Sequence, residues 1–252
     1  MESEKQDYSI FLEFVDTFSP TGFTDIDPRH PLILELEAMM EKNHQFFYIA
    51  DSIHMKILFT SSGSKKMIGI DPEDLSFYHF MEATHPADLQ RLNLGRTKII
   101  KMSQDLFISH NGPNIISTNY KIRTSHGTFS NFLIQGYLDY FAEPNNTVYF
   151  LKIHTNIDWS KKIKCGYHYY IGNDLSYFRY PDAKMLQMGN VFTRREFEII
   201  RLIEEGLSTE QIAEKLFISP FTVNTHRGNI LQKTSKTNVS DLIYELKERG
   251  VL

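Results

Sequence analysis

The chain predicts an α+β domain with a five-stranded antiparallel sheet and its helices on one face, followed by a small all-α domain. Three observations carry this expectation. At 252 residues the chain exceeds one usual compact unit, so two are expected. Its middle holds two short β-prone runs, then several helical stretches, then three longer strand runs joined by tight turns. From Phe192 onward it is a series of short, well-capped helices.

The elements follow in order. Ile10, Phe11, Phe14, Val15 and Phe18 recur at helical spacing, and Ser19-Pro20-Thr21-Gly22 stops that helix. A second helix is expected from Pro31, a favoured first-turn residue, to about Lys42. Phe46 to Ile49 and Met55 to Thr60 are the two short strands, separated by a polar turn. Helical pieces are expected around Lys65 to Ile68, Pro72 to Met81 and Pro86 to Met102. Ile115 to Thr124, Phe129 to Phe141 and Thr147 to Ile157 then read as strands, bounded by Gly112-Pro113, Ser125-His126-Gly127 and Glu143-Pro144-Asn145-Asn146.

Within this region, Leu58 to Gly69, Pro72-Glu73-Asp74-Leu75 and His85-Pro86-Ala87-Asp88-Leu89 resemble the first half of a PAS sensory domain. The three closing strands fit its second half, and Thr155-Asn156-Ile157-Asp158 is similar to the strand end that hands over to an effector. The resemblance covers roughly residues 44–160 and implies a PAS-like sensor with a pocket between sheet and helices. With 19 Phe and 9 Met available, that pocket is expected to be apolar, either holding an unknown small ligand or filled as core. No cofactor is identified. Residues 1–43 form an N-terminal helical extension; its Ile10–Phe18 face is a candidate dimer interface, the alternative being packing on its own sheet. Residues 161–190 are an aromatic-rich connector, broken by Gly166, Gly172 and Pro181, whose rings are expected to pack rather than be solvated.

Residues 191–252 carry the sharpest pattern. Thr193 with Glu196 and Ser208 with Gln211 are capping boxes, Gly206 stops the helix between them, and Ser219-Pro220 caps another. Ile199, Ile200 and Ile203 form one apolar face, Ile212, Ala213 and Leu216 a second, and Val223 and Ile230 a third; Asn238 caps a last helix. Short helices, tight turns and a small Ala213 at the crossing make a helix-turn-helix. Phe192 to Glu196, Gly206-Leu207-Ser208, Gln211-Ile212-Ala213, Ile218-Ser219, Thr222-Val223, His226 and Asn229-Ile230 resemble the LuxR-type helix-turn-helix. That resemblance implies a transcriptional regulator that binds double-stranded DNA, usually as a homodimer on paired half-sites.

Charge agrees with this placement. The net charge is −4, yet from Asn190 onward nine basic and nine acidic residues cancel, and no acid lies between Glu214 and Asp241. If Val223 and Ile230 point inward, Asn224, Thr225, Gly228 and Gln232 share the opposite face. The amide of Asn224 suits adenine and the methyl of Thr225 suits a thymine methyl. Thr222, Arg227 and Lys233 suit phosphates, as do the helix starts at Ser208-Thr209 and Ser219. Many members of the resembled family carry Lys where this chain has Asn224 and Gly228, so weaker binding and a flatter salt dependence follow. The same two positions motivate a rival reading, a protein-interaction adaptor that kept the fold without DNA binding.

Other chemistry is set aside. His79, Glu82 and His85 stand three apart, but residues six apart lie on different helix faces, so no metal site is expected. Cys165 is the single cysteine; it excludes an internal disulfide, indicates a reducing compartment, and sits in no flavin-adduct motif. No Gly-rich phosphate loop, nucleophile elbow or paired carboxylates appear, so no enzyme is expected. The opening Met1 to Asp7 is polar and acidic, and no run of 18 apolar residues occurs; a cytoplasmic protein without a membrane partner is expected.

Overall fold

A computed structural model describes residues 8–110, 112–159, 169–181 and 192–248. The chain divides into two compact units: residues 1–161 with 170–183, and residues 162–169 with 184–252. The first unit contains α1 (Ser9–Phe18), α2 (Pro31–Lys42), β1 (Gln45–Asp51), β2 (Lys56–Thr60), α3 (Gly63–Ile68), α4 (Phe77–Ala83), α5 (Leu89–Ser109), β3 (Asn114–Arg123), β4 (Phe129–Phe141), β5 (Thr147–Asn156) and β6 (Tyr169–Gly172).

The sheet has six strands in the order β2-β1-β5-β4-β3-β6, not five. β1 pairs antiparallel with both β2 and β5, and β4 with both β3 and β5. The extra strand comes from the connector. Gly166, Gly172 and Pro181 interrupt any periodicity there, but an open strand edge on β3 can still be paired by a short run. Among the described residues of the connector, rings pack as expected. Phe178 lies 5.2 Å from Tyr8 and 5.6 Å from Tyr137, centroid to centroid, and Tyr170 and Tyr180 border the same core. Cys165 and residues 160–168 and 182–191 lie outside the described residues.

The helices between the strands gather on one face, where Phe46, Tyr48, Tyr120, Phe132 and Ile134 meet Ile68, Phe80 and Leu92. The opposite face is not open. There Phe47, Ile49, Leu151 and Ile153 are covered by Phe11, Phe14, Val15 and Phe18 of α1 and by Ile33, Leu36 and Met40 of α2. Helices therefore sheathe both faces, and the expected single-sided layer is corrected. The cause is the strand pattern: β1 and β5 carry large apolar side chains on both sides and are buried along both, so each side needs a cover. The same packing uses up the face of α1 that was a candidate dimer interface. Gly22, at φ +65°, turns the chain after α1; a Cβ there would come within 2.5 Å of the Asn145 side chain.

Two helices differ from expectation. α5 runs on to Ser109, because Met102 and Leu106 keep its buried stripe going until His110 adopts a left-handed φ of 55°. The helix expected over Pro72 to Met81 is split: Pro72–Asp74 is a 3-10 turn, Leu75 is extended, and Ser76 restarts α4 with a capping box to His79. His85 likewise caps the Pro86–Asp88 turn by accepting from the Ala87 amide. The two imidazoles weighed as metal ligands thus serve as caps.

The second unit holds α6 (Arg194–Glu204), α7 (Thr209–Lys215), α8 (Pro220–Thr234) and α9 (Val239–Glu248) around a core of Ile199, Ile200, Ile212, Val223, Ile230 and Leu242. The expected caps are present. Thr193 Oγ1 accepts from the Glu196 amide at 3.2 Å, Ser208 Oγ from the Gln211 amide at 3.3 Å, and Ser219 Oγ from the Thr222 amide at 3.1 Å. Asn238 Oδ1 accepts from the Asp241 amide at 2.8 Å. Each such cap is worth about 1 kcal/mol, which matters in a unit with so small a core.

Candidate functional site

The turn between α7 and α8 fixes how α8 is presented. Phe217 takes a left-handed φ of 55°, the Ile218 amide donates to the Ala213 carbonyl at 3.0 Å, and Ser219-Pro220 opens α8. Val223 and Ile230 are buried, so α8 is anchored along one line. Its opposite side is exposed at Asn224, Thr225, Gly228 and Gln232. The Thr225 hydroxyl donates back to the Phe221 carbonyl at 3.0 Å, which leaves its methyl for outside contact. Ser208 and Ser219 are exposed, while Thr209 and Thr222 are half-buried. Thr222 Oγ1 and Ser219 Oγ lie 2.8 Å apart, and Thr209 Oγ1 accepts from Arg227 at 3.2 Å, which ties the starts of α7 and α8 together.

Lys233 stands apart from this group. Its Nζ donates to Glu196 Oε2 at 2.7 Å, and the Glu196 carboxylate is almost fully buried. Burial alone would raise the Glu196 pKa; the Lys233 ammonium and hydrogen bonds from Thr193 outweigh it and hold the carboxyl below its ordinary range. Lys233 is thereby a structural counter-ion first. Lys233→Met is expected to cost the second unit about 1–3 kcal/mol, because it strands a buried charge. Since Glu196 titrates below its unfolded value, its contribution is present at neutral pH and fades as pH drops through the folded pKa. Thermal melts from pH 7 down to about 3 should therefore fall more steeply for the native chain than for Lys233→Met.

Gly228 sits in the interior of α8, is exposed, and a Cβ placed there meets nothing within 4 Å. Its cost of about 1 kcal/mol against Ala is thus unrelieved within the chain. Gly228→Ala should raise stability by about that amount in urea titrations. A loss of duplex affinity in the same variant would mark Gly228 as the point of closest approach.

Two exposed rings escaped the sequence reading. Phe217 is 95% and Phe221 81% exposed, the first in the turn and the second in the opening turn of α8. The signal was available for Phe221, which precedes the buried Val223 by two positions and must face away from it.

The other candidate site lies in the first unit, beneath α5. The expected apolar pocket is two small cavities of about 20 and 40 Å³ whose walls share Arg96, Ile99 and Lys152. Its chemistry is cationic rather than purely apolar, because Arg96 of α5 and Lys152 of β5 line both cavities. The sequence of β5 contained this sign, since Lys152 falls on the same side as Val148 and Phe150. An open groove of about 720 Å³ beside α2 and α3 is lined by Glu37, Glu41 and Lys66, which are satisfied locally: Lys66 pairs with Glu41 at 2.6 Å, and Glu37 accepts from Ser62.

Comparison with known proteins bears on the second unit. Residues 190–245 match the family described as bacterial regulatory proteins, luxR family. The virulence-factor transcription regulator BvgA of Bordetella pertussis is 31% identical over 102 residues, 40% of this chain and 48% of BvgA. The oxygen regulatory protein NreC of Staphylococcus carnosus is 40% identical over 60 residues, 23% of this chain and 28% of NreC. The chain thus spans half or less of the curated relatives it matches. A Vibrio cholerae VqmA dimer structure aligns at TM-score 0.39 and 13% identity over 86% of this chain and 88% of that one, a likeness that carries no argument. No helix among the described residues is long and apolar enough to cross a membrane. Capped helices, a short turn, an outward-facing α8 and the family match agree: residues 190–245 are a helix-turn-helix domain of the LuxR type.

Proposed function

We propose that the chain is a DNA-binding transcriptional regulator. In this reading the first unit is a PAS-like sensor for a small ligand or partner, and the second unit binds double-stranded DNA as part of a homodimer in the cytoplasm. The observation that carries it is the exposed, acid-free face of α8, anchored by Val223 and Ile230. A helix held this way enters a major groove with its N-terminal residues nearest the bases. Asn224 and Thr225 then read base edges, with Gly228 and Gln232 further along the groove. Arg227 and Thr222, with the helix starts at Ser208-Thr209 and Ser219, hold phosphates.

Signal and output are linked by population shift: a ligand that binds one arrangement better than another changes how two copies of α8 are spaced. Half-sites one turn apart, about 34 Å, make that spacing decisive. Genome-wide capture of bound DNA, with a Thr225→Ala chain as control, tests the reading; identical recovery from both chains counts against it. Scattering that finds strict monomers with and without duplex removes the homodimer.

The adaptor reading is favoured by one observation, the exposed rings of Phe217 and Phe221 beside the proposed DNA face. A mobility-shift titration at low and moderate salt separates the two. Absence of any complex at low salt selects the adaptor, and a salt-sensitive complex selects the regulator.

A further inference from the structure

The face of the sheet beneath α5 buries a set of polar groups that the protein leaves unanswered. The hydroxyls of Tyr48, Tyr120 and Thr118 and both ring nitrogens of His154 have no hydrogen-bond partner. His154 is sandwiched between the rings of Phe46 and Phe80 at 4.5 and 4.8 Å. Lys152 is 7% exposed, and its Nζ stands 5.5 to 5.8 Å from the ring centres of Tyr48, Phe80 and Phe150. Rings alone compensate a buried ammonium poorly, and an unpaired buried cation is among the most costly arrangements a core can hold.

A second cation faces the same space. Arg96 of α5 lines both cavities, and neither cavity has an aspartate or glutamate in its wall. Among the described residues no ion pair involves Arg96 or Lys152. Arg91, the third cation nearby, is already paired with Asp88 at 3.1 Å. The other groups facing Lys152 are neutral: Tyr48 from β1, Tyr120 from β3, His154 on β5, Ile134 from β4 and Phe80 from α4. Burial, with the Arg96 charge beside it, pushes the Lys152 pKa down to about 7. Burial likewise pushes His154 well below its usual range, so its imidazole is neutral.

Two cationic donors and three hydroxyls around a space without any negative charge complement a small anion. We propose that these two cavities, which meet at Arg96, Ile99 and Lys152, together bind a monocarboxylate of two to four carbons, with its oxygens received by Lys152 and Arg96 and its tail against Ile99, Ile116 and Ile134. The size follows from the two cavities taken together: at roughly 10–15 Å³ per water, the one of about 20 Å³ holds only one or two water-sized atoms and the one of about 40 Å³ three or four, so the pair limits a ligand to a few heavy atoms. A planar singly charged group also fits a guanidinium fork and loses less hydration than a tetrahedral dianion. The proposal rests on the reading of the first unit as the sensing half, and its test separates the two.

Calorimetry of the full chain with acetate, propionate and butyrate, at constant ionic strength with chloride as control, reads the site directly. Binding should weaken at least tenfold in Lys152→Met and in Arg96→Gln. Lys152→Met replaces an unpaired cation by an apolar side chain of like length, so its fold should hold or gain stability. In the native chain at pH 8.5, where the free amine is mostly neutral, binding should take up nearly one proton, seen as heat that varies with the buffer's ionisation enthalpy. Equal affinity for propionamide, or no proton uptake, overturns the assignment of an anion. No binding of any acid overturns the site while leaving DNA binding untouched. Binding that leaves duplex affinity unchanged keeps the site and counts against the sensor reading.

Discussion

Phe14→Ala is expected to lower the stability of the first unit by about 3–5 kcal/mol, the usual cost of removing a fully buried phenyl ring. Phe14 is 0% exposed, and its ring lies 5.1 Å from Phe47, 5.2 Å from Phe18 and 5.7 Å from both Phe23 and Phe59. Phe47 and Phe59 are fixed on hydrogen-bonded strands, so the space left behind cannot collapse. Urea unfolding of the full chain measures the effect. Two units with separate cores give two transitions, so only the first should move. A change in oligomeric state without loss of stability would overturn this packing and return α1 to the role of an interface between copies.

The Thr225→Ala, Arg227→Ala double variant should lose about 10- to 100-fold in duplex affinity at 0.1 M salt, equivalent to about 1.4–2.8 kcal/mol. The two substitutions act differently. Thr225→Ala removes a base contact and should relax preference at one base pair, with the salt dependence unchanged. Arg227→Ala removes a phosphate contact and should flatten the plot of log affinity against log salt by about 0.9. Because Arg227 also donates to Thr209, circular dichroism of each variant must show an intact helical unit. Fluorescence anisotropy on a captured operator, titrated at several salt concentrations, reads both effects. Native affinity and slope in the double variant would remove α8 from the DNA interface.

The second unit was largely legible in the amino-acid sequence. Its helix starts are written locally: a Thr, Ser or Asn side chain accepts an amide three residues on, and this needs no distant partner. The burial of Val223 and Ile230 follows from their spacing alone. Strands β3, β4 and β5 were legible for a similarly local reason, as β-prone runs bounded by Gly-, Pro- and Asn-containing turns.

What only the tertiary structure decided is which groups meet across long separations. Lys233 reads as one more basic residue until α8 brings it against the buried Glu196, 37 positions earlier. β6 exists because the edge of β3 offers unpaired backbone, a fact absent from the residues of the connector. That α1 and α2 cover the second face of the sheet depends on strands buried on both sides being brought together. Arg96 and Lys152 share a cavity only because α5 lies over β5. Local hydrogen bonding and periodicity are short-ranged and can be read along the chain; burial and charge pairing depend on distances that folding creates.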